Sequence, residues 1–178
     1  MHRLFVAIRP PRHVRGQLLE LMEGVEGARW QSDDQIHITL RFIGEVGSRV
    51  ADDLASALAS IRHPVFQLAV SGLGTFGLRD RPGTLWAGLS PQEPLSALHR
   101  KIDHACVRAG LKPEQRAYRP HITLARLKRF PKGLERLLSA HGTISTPPFE
   151  VTSFGLYESD LTPEGAIHSL AMNYPLTL

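Results

Sequence analysis

The tetrapeptide His-Ile-Thr-Leu occurs twice in this chain of 178 residues, at residues 37–40 and at residues 121–124. The copies start 121 − 37 = 84 residues apart, so they can lie in two halves of one domain. Side chains at positions i and i+2 of a β-strand share one face of the sheet. Each copy therefore places an imidazole and a hydroxyl on one face and two apolar side chains on the other. The repeat favours an internal duplication with two similar lobes.

Around the two copies, strand-like alternation is interleaved with apolar residues at helical spacing. We predict strands at 4–8, 36–43 (closed by Gly44), 66–70, 84–89, 121 onward, 149–156 and 167–174, with a turn over 72–83. We predict helices at 13–24, 48–61 with Ser48 as N-cap, 95–107 and 134–142. This order predicts an α+β fold of two similar lobes, in which largely antiparallel sheets line a central cleft and helices lie outside. Residues 1–178 are expected to form a single bilobal domain.

The composition is typical of a globular protein. Hydrophobic residues make up 42% of the chain and charged residues 21%. No stretch approaches the roughly 18 uncharged apolar residues of a membrane span. The chain has one cysteine, Cys106, so no intramolecular disulfide can form, which favours a reducing cytoplasm. We interpret Cys106 as a small buried residue of a helix.

Positive charge gathers close to the repeated motifs. The formal net charge is +4. The basic side chains near the motifs are Arg41, Arg49, Arg116, Arg119, Arg126, Lys128 and Arg129. Such a cluster favours a phosphate-bearing ligand over a merely solvated surface.

The residue types in the motifs suit acid–base chemistry on a phosphate. Histidine has an unperturbed pKa of about 6.5, so two histidines can act as base and acid at opposite ends of a reacting bond. The hydroxyls of Thr39 and Thr123 can donate hydrogen bonds to phosphate oxygens as charge develops on them. If the two motifs face each other, His37 and His121 form a site suited to phosphoryl transfer.

Other kinds of site have weaker support in the sequence. The two motifs supply two histidines and no carboxylate, whereas catalytic zinc usually has three protein ligands. The chain also lacks a Gly-x-Ser-x-Gly motif for a serine nucleophile. One isolated His-x-Thr would be read as a half-buried histidine bonded to its neighbour, but the repetition favours function. A non-catalytic RNA or nucleotide binder, with salt-sensitive binding and no turnover, stays an alternative.

The chain resembles the 2H phosphoesterases, which are defined by two His-x-Thr-x motifs, and among them the bacterial and archaeal RNA 2′,3′-cyclic phosphodiesterases, also called 2′-5′ RNA ligases. The resemblance covers nearly the whole chain and is carried by Arg3-Leu-Phe-Val-Ala-Ile8, His37-Ile-Thr-Leu-Arg-Phe-Ile-Gly44, Thr84-Leu-Trp-Ala-Gly88, Arg119-Pro-His-Ile-Thr-Leu-Ala-Arg126, Tyr157-Glu-Ser159 and Tyr174-Pro-Leu176. It implies a two-lobed α+β fold with both motifs in a central cleft. It also implies hydrolysis of a terminal 2′,3′-cyclic phosphate to a 2′-phosphomonoester without a metal or other cofactor, with 2′-5′ ligation as the reverse reaction.

The resemblance also implies roles for five residues of this sequence. His121 would be the proton acceptor that activates water, and His37 the proton donor that protonates the departing O3′. Thr39 and Thr123 would bind the phosphate. Arg126 would bind it as well if the strand ends or bulges after the motif, because its parity is otherwise opposite to that of His121 and Thr123.

The expected partners are RNA with 2′,3′-cyclic phosphate ends or nucleoside 2′,3′-cyclic phosphates, bound by a monomer in the cytoplasm. Another 2H branch that acts on a different phosphodiester stays an alternative. Arg41 has the strand parity of His37 and Thr39, which places it at the cleft or in solvent. His168 stands where the family is expected to have an aromatic residue, and we assign it no role.

Overall fold

The computed structural model describes residues 1–77, 81, 83–128 and 131–177. Its strands are β1 (His2–Ile8), β2 (Arg29–Trp30), β3 (Ile38–Val46), β4 (Phe66–Phe76), β5 (Gly83–Ser90), β6 (His121–Leu127), β7 (Phe149–Val151), β8 (Ser153–Thr162) and β9 (Gly165–Pro175). Its helices are α1 (Arg12–Glu20), α2 (Ser48–Ala59), α3 (Glu93–Arg108) and α4 (Leu134–His141), with a 3-10 turn at Asp33–Gln35. Strands and helices are interleaved along the chain, as predicted.

The nine strands form one sheet, and the strand pairings in the described part of the chain are antiparallel. The strand order is β7-β4-β5-β6-β3-β1-β8-β9, with β2 paired to β6. We call β1, β3, β8 and β9 the first lobe and β4, β5, β6 and β7 the second lobe. The two lobes join at one residue pair, Ile38 opposite Ile122. The predicted two-lobed α+β fold is confirmed, and the sheets of the two lobes are continuous at this junction.

The apolar half of each motif lies in the core. Ile38, Leu40, Ile122 and Leu124 are at most 1% exposed. Helices α2 and α3 pack against each other, and α3 also packs on β3. Burial of each leucine or isoleucine side chain contributes about 1.5–3 kcal/mol. The apolar residues therefore anchor both motif strands and leave the opposite face of each strand to the cleft.

Each motif strand carries a β-bulge at the leucine of its motif. The pairing of β3 with β1 skips Leu40, and the pairing of β6 with β5 skips Leu124. An extra residue in one strand inverts the face on which the following residues lie. As a result Phe42 and Arg126, each five positions after its motif histidine, both line the cleft. The condition under which Arg126 can reach the site is therefore met.

The carbonyl groups of the two bulged leucines are bonded outside the strand ladders. The Nδ1–H of His99, on α3, donates to the Leu40 carbonyl at 2.7 Å. The backbone N–H of Gln31, just after β2, donates to the Leu124 carbonyl at 2.8 Å. A buried carbonyl left without a partner would cost about 1–3 kcal/mol. Both bulges are therefore stabilised by specific partners.

The prediction that Arg41 lies at the cleft or in solvent is wrong. The bulge turns Arg41 towards the core, where it is 8% exposed. Its guanidinium donates to Asp103 Oδ1 at 3.1 Å, to the Phe42 carbonyl at 2.9 Å and to the Lys112 carbonyl. Burial opposes the ionisation of Asp103, but the Glu114 N–H and the Arg41 guanidinium lower its pKa below the ordinary value. Arg41 is thus a structural ion-pair residue behind the first motif.

Replacing Arg41 with methionine is expected to lower the free energy of unfolding by about 2 kcal/mol, because a carboxylate and two carbonyls lose their donor. Urea denaturation at neutral pH measures the change. Arg49→Met is the matched control, since Arg49 is exposed on α2 and should stay within about 0.5 kcal/mol of the wild type. Equal stability of the two variants would show that Arg41 is solvated.

Three predicted boundaries differ from the structure for local backbone reasons. Gly44 does not close β3, which continues to Val46 through a glycine with a φ of 86° beside the second register shift. That left-handed conformation is open to glycine without strain. Ser48 is the first residue of α2, and Gly47 is its N-cap. Helix α1 ends at Glu20, before the predicted end at residue 24.

Two further segments were predicted with the wrong extent. Strand β4 runs to Phe76, into the region predicted as a turn; residues 78–80 and 82 of that turn lie outside the described residues. The strand predicted over 149–156 is two strands with different partners. Strand β7 pairs with β4, whereas β8 pairs with β1 and β9. Partner choice is non-local, so alternation alone could not divide this segment.

Cys106 lies on α3 and is fully buried, as predicted. Burial raises the pKa of its thiol to about 11, so the thiol stays protonated and unreactive at neutral pH. Across the residues that the structure describes, no helix combines the length and the apolar character needed to cross a membrane.

Candidate active site

The two motifs open onto one cleft of about 870 Å³, which is lined by residues of both lobes. This volume is typical of small-molecule sites. All five residues predicted for the site line the cleft: His37, Thr39, His121, Thr123 and Arg126. The structure therefore brings together the two copies of the repeat, while the role of each residue stays a prediction.

The junction of the lobes sets the relative position of the two motifs. Ile38 and Ile122, the second residues of the two copies, lie directly opposite each other on antiparallel strands. We infer from this register that His37 lies beside Thr123 and that Thr39 lies beside His121. The motifs are thus related by an approximate twofold axis, and each histidine has the threonine of the other copy as its neighbour.

His37 is packed into an aromatic box of the first lobe. Its ring makes edge contacts with Tyr157, His168 and Phe5, at centroid distances of 4.7, 5.4 and 5.6 Å. The side chain is 7% exposed. Within the described part of the chain, its buried Nδ1 has no partner in hydrogen-bonding geometry. The box holds the ring with little contact to water.

Burial has a large effect on the ionisation of His37. Desolvation of the charged imidazolium lowers the pKa of His37 to about 4, a shift that the backbone of Gln35 partly opposes. The positive charges of Arg9, His168 and Arg15 lower it further. At neutral pH and without a bound anion, His37 is therefore a neutral imidazole.

His121 is held differently. Its Nδ1–H donates to the carbonyl of Arg119 at 2.6 Å. Its ring makes an edge contact with Phe76 at 5.1 Å and lies 6.3 Å from the ring of Trp86. Because Nδ1 is the donor, a neutral His121 has an unprotonated Nε2 that can accept a proton. The backbone bond thus fixes both the ring orientation and the tautomer.

A side-chain contact connects the segment before the second motif to the backbone of the first. The hydroxyl of Tyr118 donates to the carbonyl of Thr39 at 3.0 Å. The Tyr118 ring stacks on His99 at 4.2 Å, and His99 in turn holds the Leu40 carbonyl. The hydrogen bond joins two residues that are 79 positions apart in the sequence, and Tyr118 lies three positions before His121. It therefore helps to fix the distance between the two motifs.

The predicted basic cluster contributes less to the cleft than expected. Arg126 lines the cleft, and the Arg119 guanidinium lies 5.9 Å over the ring of Phe76. Arg129 lies outside the described residues. The other members do not line the cleft, Arg41 because it is buried and the rest as exposed side chains: Arg49, Arg116 and Lys128.

The cleft is also lined by two arginines and two aromatic residues that were not predicted from the sequence. These residues are Arg3, Arg29, Trp30 and Phe42. The Arg3 guanidinium lies 5.3 Å over the ring of Phe42, which is 51% exposed. Strand β2 has two residues, too few for a recognisable alternation, so the sequence held no local signal for Arg29 or Trp30.

His168, to which no role was assigned from the sequence, also lines the cleft. It lies on β9, with its ring 4.8 Å from that of Phe5 and next to that of His37. Burial lowers the pKa of His168, as does the charge of Arg9. A third imidazole thus forms one wall of the box that holds His37.

In the described residues, no group of three or more His, Cys, Asp or Glu side chains is arranged to hold a metal ion. The motif residues and Arg126 offer instead two imidazoles with different environments, two hydroxyls and a guanidinium. Such a set can exchange protons with a substrate at two points while it binds negative charge between them.

Comparison with known proteins agrees with this arrangement. The sequence model of the family described as LigT like Phosphoesterase matches residues 8–86 and again residues 88–168. The first match contains residues 37–40 and the second contains residues 121–124. The resemblance and the internal duplication inferred from the repeat are thus both confirmed at the level of the family.

Several named relatives align over most of the chain. The RNA 2′,3′-cyclic phosphodiesterase of Thermotoga maritima is 32% identical over 176 residues, 94% of this chain and 92% of the relative. That of Aeropyrum pernix is 38% identical over 139 residues, 76% of this chain and 79% of the relative. The crystal structure of Escherichia coli LigT complexed with 3′-AMP superposes with a TM-score of 0.81 at 28% identity, with 99% of both chains covered. The chain belongs to the LigT-like phosphoesterase family.

Proposed function

We propose that this chain is a phosphoric diester hydrolase that opens the 2′,3′-cyclic phosphate at an RNA end and leaves a 2′-phosphomonoester. The observation that carries the proposal is that both motif histidines and both motif threonines line one cleft, where the two motif strands join at Ile38 and Ile122. The relatives from A. pernix and T. maritima are named RNA 2′,3′-cyclic phosphodiesterase. The similar E. coli structure holds 3′-AMP.

In the proposed reaction, water adds across one P–O bond of the cyclic phosphate. His121 Nε2 takes a proton from the water as the water oxygen bonds to phosphorus. The bond between phosphorus and O3′ breaks, and His37 gives a proton to O3′. The product carries a 2′-phosphate and a 3′-hydroxyl, and proton exchange with solvent returns both histidines to their starting states.

The surroundings of the two histidines support this division of roles. The bond from His121 Nδ1 to the Arg119 carbonyl leaves Nε2 free to act as the base. Before substrate binds, His37 is neutral because burial lowers its pKa to about 4. A bound phosphate places a negative charge beside the ring, which raises the pKa and favours the protonated form. The substrate would thus bring about the protonation of its own general acid.

Thr39, Thr123 and Arg126 are proposed to bind the phosphate. The two threonine hydroxyls, one on each copy of the repeat, can donate hydrogen bonds to different non-bridging oxygens. Negative charge increases on these oxygens in the transition state, so the hydrogen bonds stabilise it. The Arg126 guanidinium adds a charge-assisted hydrogen bond. The hydrogen bond from Tyr118 to the Thr39 carbonyl helps to fix the backbone that carries one of these hydroxyls.

The proposed substrates are RNA with a 2′,3′-cyclic phosphate end and nucleoside 2′,3′-cyclic phosphates. Phe42 is a half-exposed aromatic ring of the cleft, with Arg3 over it, and such surfaces stack on bases without strong sequence preference. We propose that residues 1–178 act as one bilobal domain, since the cleft lining extends from Arg3 to His168. We propose a monomer because all five residues of the proposed site come from this one chain. The buried thiol of Cys106 is consistent with a place in the cytoplasm.

The test is incubation with uridine 2′,3′-cyclic phosphate in EDTA, with the product identified by phosphorus NMR. We expect turnover to the 2′-phosphate and no 3′-phosphate, because O3′ is the leaving group. Salt-sensitive binding without turnover would identify a non-catalytic nucleotide binder. Turnover of another phosphodiester alone would place the chain in a different 2H branch.

The same cleft can accept an RNA 5′-hydroxyl in place of water, which gives a 2′-5′ bond. His121 would take the proton of the 5′-hydroxyl as its oxygen bonds to phosphorus, and His37 would protonate the departing O3′; cleavage of the 2′-5′ bond back to the cyclic phosphate would exchange these two proton roles. Because water is in large excess, we expect hydrolysis to dominate and ligated product to appear at low yield with high concentrations of RNA ends.

A further inference from the structure

Two arginines lie directly opposite each other on the cleft side of β2 and β6. Arg29 pairs in register with Arg126, both side chains are exposed, and both line the cleft. Like charges opposed on neighbouring strands, with Cβ atoms about 5 Å apart, destabilise a sheet. Among the residues that the structure describes, neither guanidinium has an acidic partner within 4 Å. This cross-strand pair therefore has unused capacity for an anion.

We propose, on the basis of the function proposed above, that Arg29 forms a second anion site for the phosphodiester that precedes the cyclic phosphate in the RNA, and that Arg126 is shared between this phosphodiester and the cyclic phosphate. A phosphodiester between two guanidinium groups relieves their repulsion and accepts hydrogen bonds from both. The preferred substrate is then an RNA end of at least two nucleotides, since a mononucleotide has no phosphate at this position.

The distances along β6 agree with this placement. Arg126 follows Thr123 by three residues, but the bulge at Leu124 takes up one of them. The two residues therefore face positions 86 and 84 of β5, which corresponds to roughly 7 Å of strand. The preceding phosphodiester of an RNA lies one nucleotide from the cyclic phosphate, so a terminal phosphate at Thr123 leaves the next one within reach of two long side chains. Arg126 stands between the two phosphates, and Arg29 lies beyond it on the neighbouring strand β2.

The distribution of charge in the cleft also favours an anion over β2 and β6. Of the cleft-lining residues that the structure describes, Glu164 is the one acidic side chain, and it lies in the turn between β8 and β9 of the first lobe. Lys128, two positions after Arg126, is exposed and adds positive charge near the end of β6. A single-stranded RNA that enters over β2 and β6 therefore meets a cationic groove.

The experiment compares three substrates with wild-type protein, Arg29→Gln and Arg29→Lys. The substrates are uridine 2′,3′-cyclic phosphate, the dinucleotide UpU with a 2′,3′-cyclic phosphate end, and the same dinucleotide with a neutral methylphosphonate linkage. Arg49→Gln is the matched control, because Arg49 is exposed on α2 and does not line the cleft. The readout is the ratio of kcat/KM for the charged dinucleotide to kcat/KM for each of the other two substrates.

We expect Arg29→Gln to lower both ratios about tenfold, the effect of losing one charge-assisted hydrogen bond. Arg29→Lys should keep part of the preference, and Arg49→Gln should keep all of it. The slope of log(kcat/KM) against log[salt] for UpU should become shallower by about 0.7 in Arg29→Gln. Unchanged ratios in Arg29→Gln, or an equal loss with all three substrates, would overturn the second site. Wild-type protein that turns over none of the three would overturn the proposed function itself, and this inference with it.

Discussion

Replacing His121 with glutamine is expected to lower kcat roughly 10³-fold, and His37→Gln should lower it by a similar factor. Glutamine keeps a polar group of similar length but can neither accept a proton at the position of Nε2 nor carry one to O3′. Initial rates with uridine 2′,3′-cyclic phosphate at saturating concentration measure the loss. The change should appear in kcat and much less in KM, because proton transfer takes place in the transition state and binding does not require it.

The double variant is expected to be little slower than the slower single variant. Once either histidine is replaced, the concerted proton transfer is lost, so the remaining histidine adds little to the rate. His104→Gln is the matched control, because His104 is an exposed histidine of α3 and should keep wild-type kcat. If either motif variant kept kcat within a few-fold of the wild type, the two-histidine mechanism would be wrong.

The alternation within each motif was sufficient to predict the general layout of the site. Residues at i and i+2 of a strand share a face, so the burial of Ile38 and Leu40 could be read directly from the sequence, as could the polar face they leave. The repeat then predicted two lobes with one motif each. The cleft was predicted because the histidine and threonine of one copy can act together with those of the other only if the two polar faces lie opposite each other.

Strict local alternation did not predict the face of β6 on which Arg126 lies. The sequence does contain a signal for the bulge, since apolar residues occur at 122, 124, 125 and 127, with a change of phase between 124 and 125. All four are buried in the structure. The first motif has a weaker version of this signal, because the buried position after Leu40 holds Arg41. A charged residue there looks solvated until its partner Asp103, 62 residues away, is known.

Other parts of the site depend on contacts that no local pattern contains. Arg29 reaches the cleft because β2 pairs with the end of β6, almost a hundred residues later. The low pKa of His37 depends on rings from β1, β8 and β9 that close around it, among them Tyr157 and His168. Partner choice between distant strands is decided by the packing of the whole sheet, so these features need the structure.

The free energy of unfolding is expected to fall by about 3 kcal/mol from His37 alone as the pH falls from 6.5 to 4. The pKa of His37 is about 4 in the folded protein and 6.5 for an exposed imidazole. Between these values the unfolded chain binds a proton that the folded protein does not bind, so acid favours unfolding. The stabilising contribution is fully present above pH 6.5 and is lost as the pH falls through 4.

Urea denaturation of the wild type and His37→Gln over this range isolates the contribution, because the other titrating groups are common to both proteins. The difference between the two unfolding free energies should change by about 3 kcal/mol from pH 6.5 to pH 4, and identical pH dependence would show that His37 is not buried as a neutral ring. Inorganic phosphate provides the link to function. If an anion in the cleft raises the pKa of His37, saturating phosphate should reduce the pH dependence of the wild type and leave that of His37→Gln almost unchanged. The burial that keeps His37 unprotonated before substrate binds would then also make its protonation depend on the substrate.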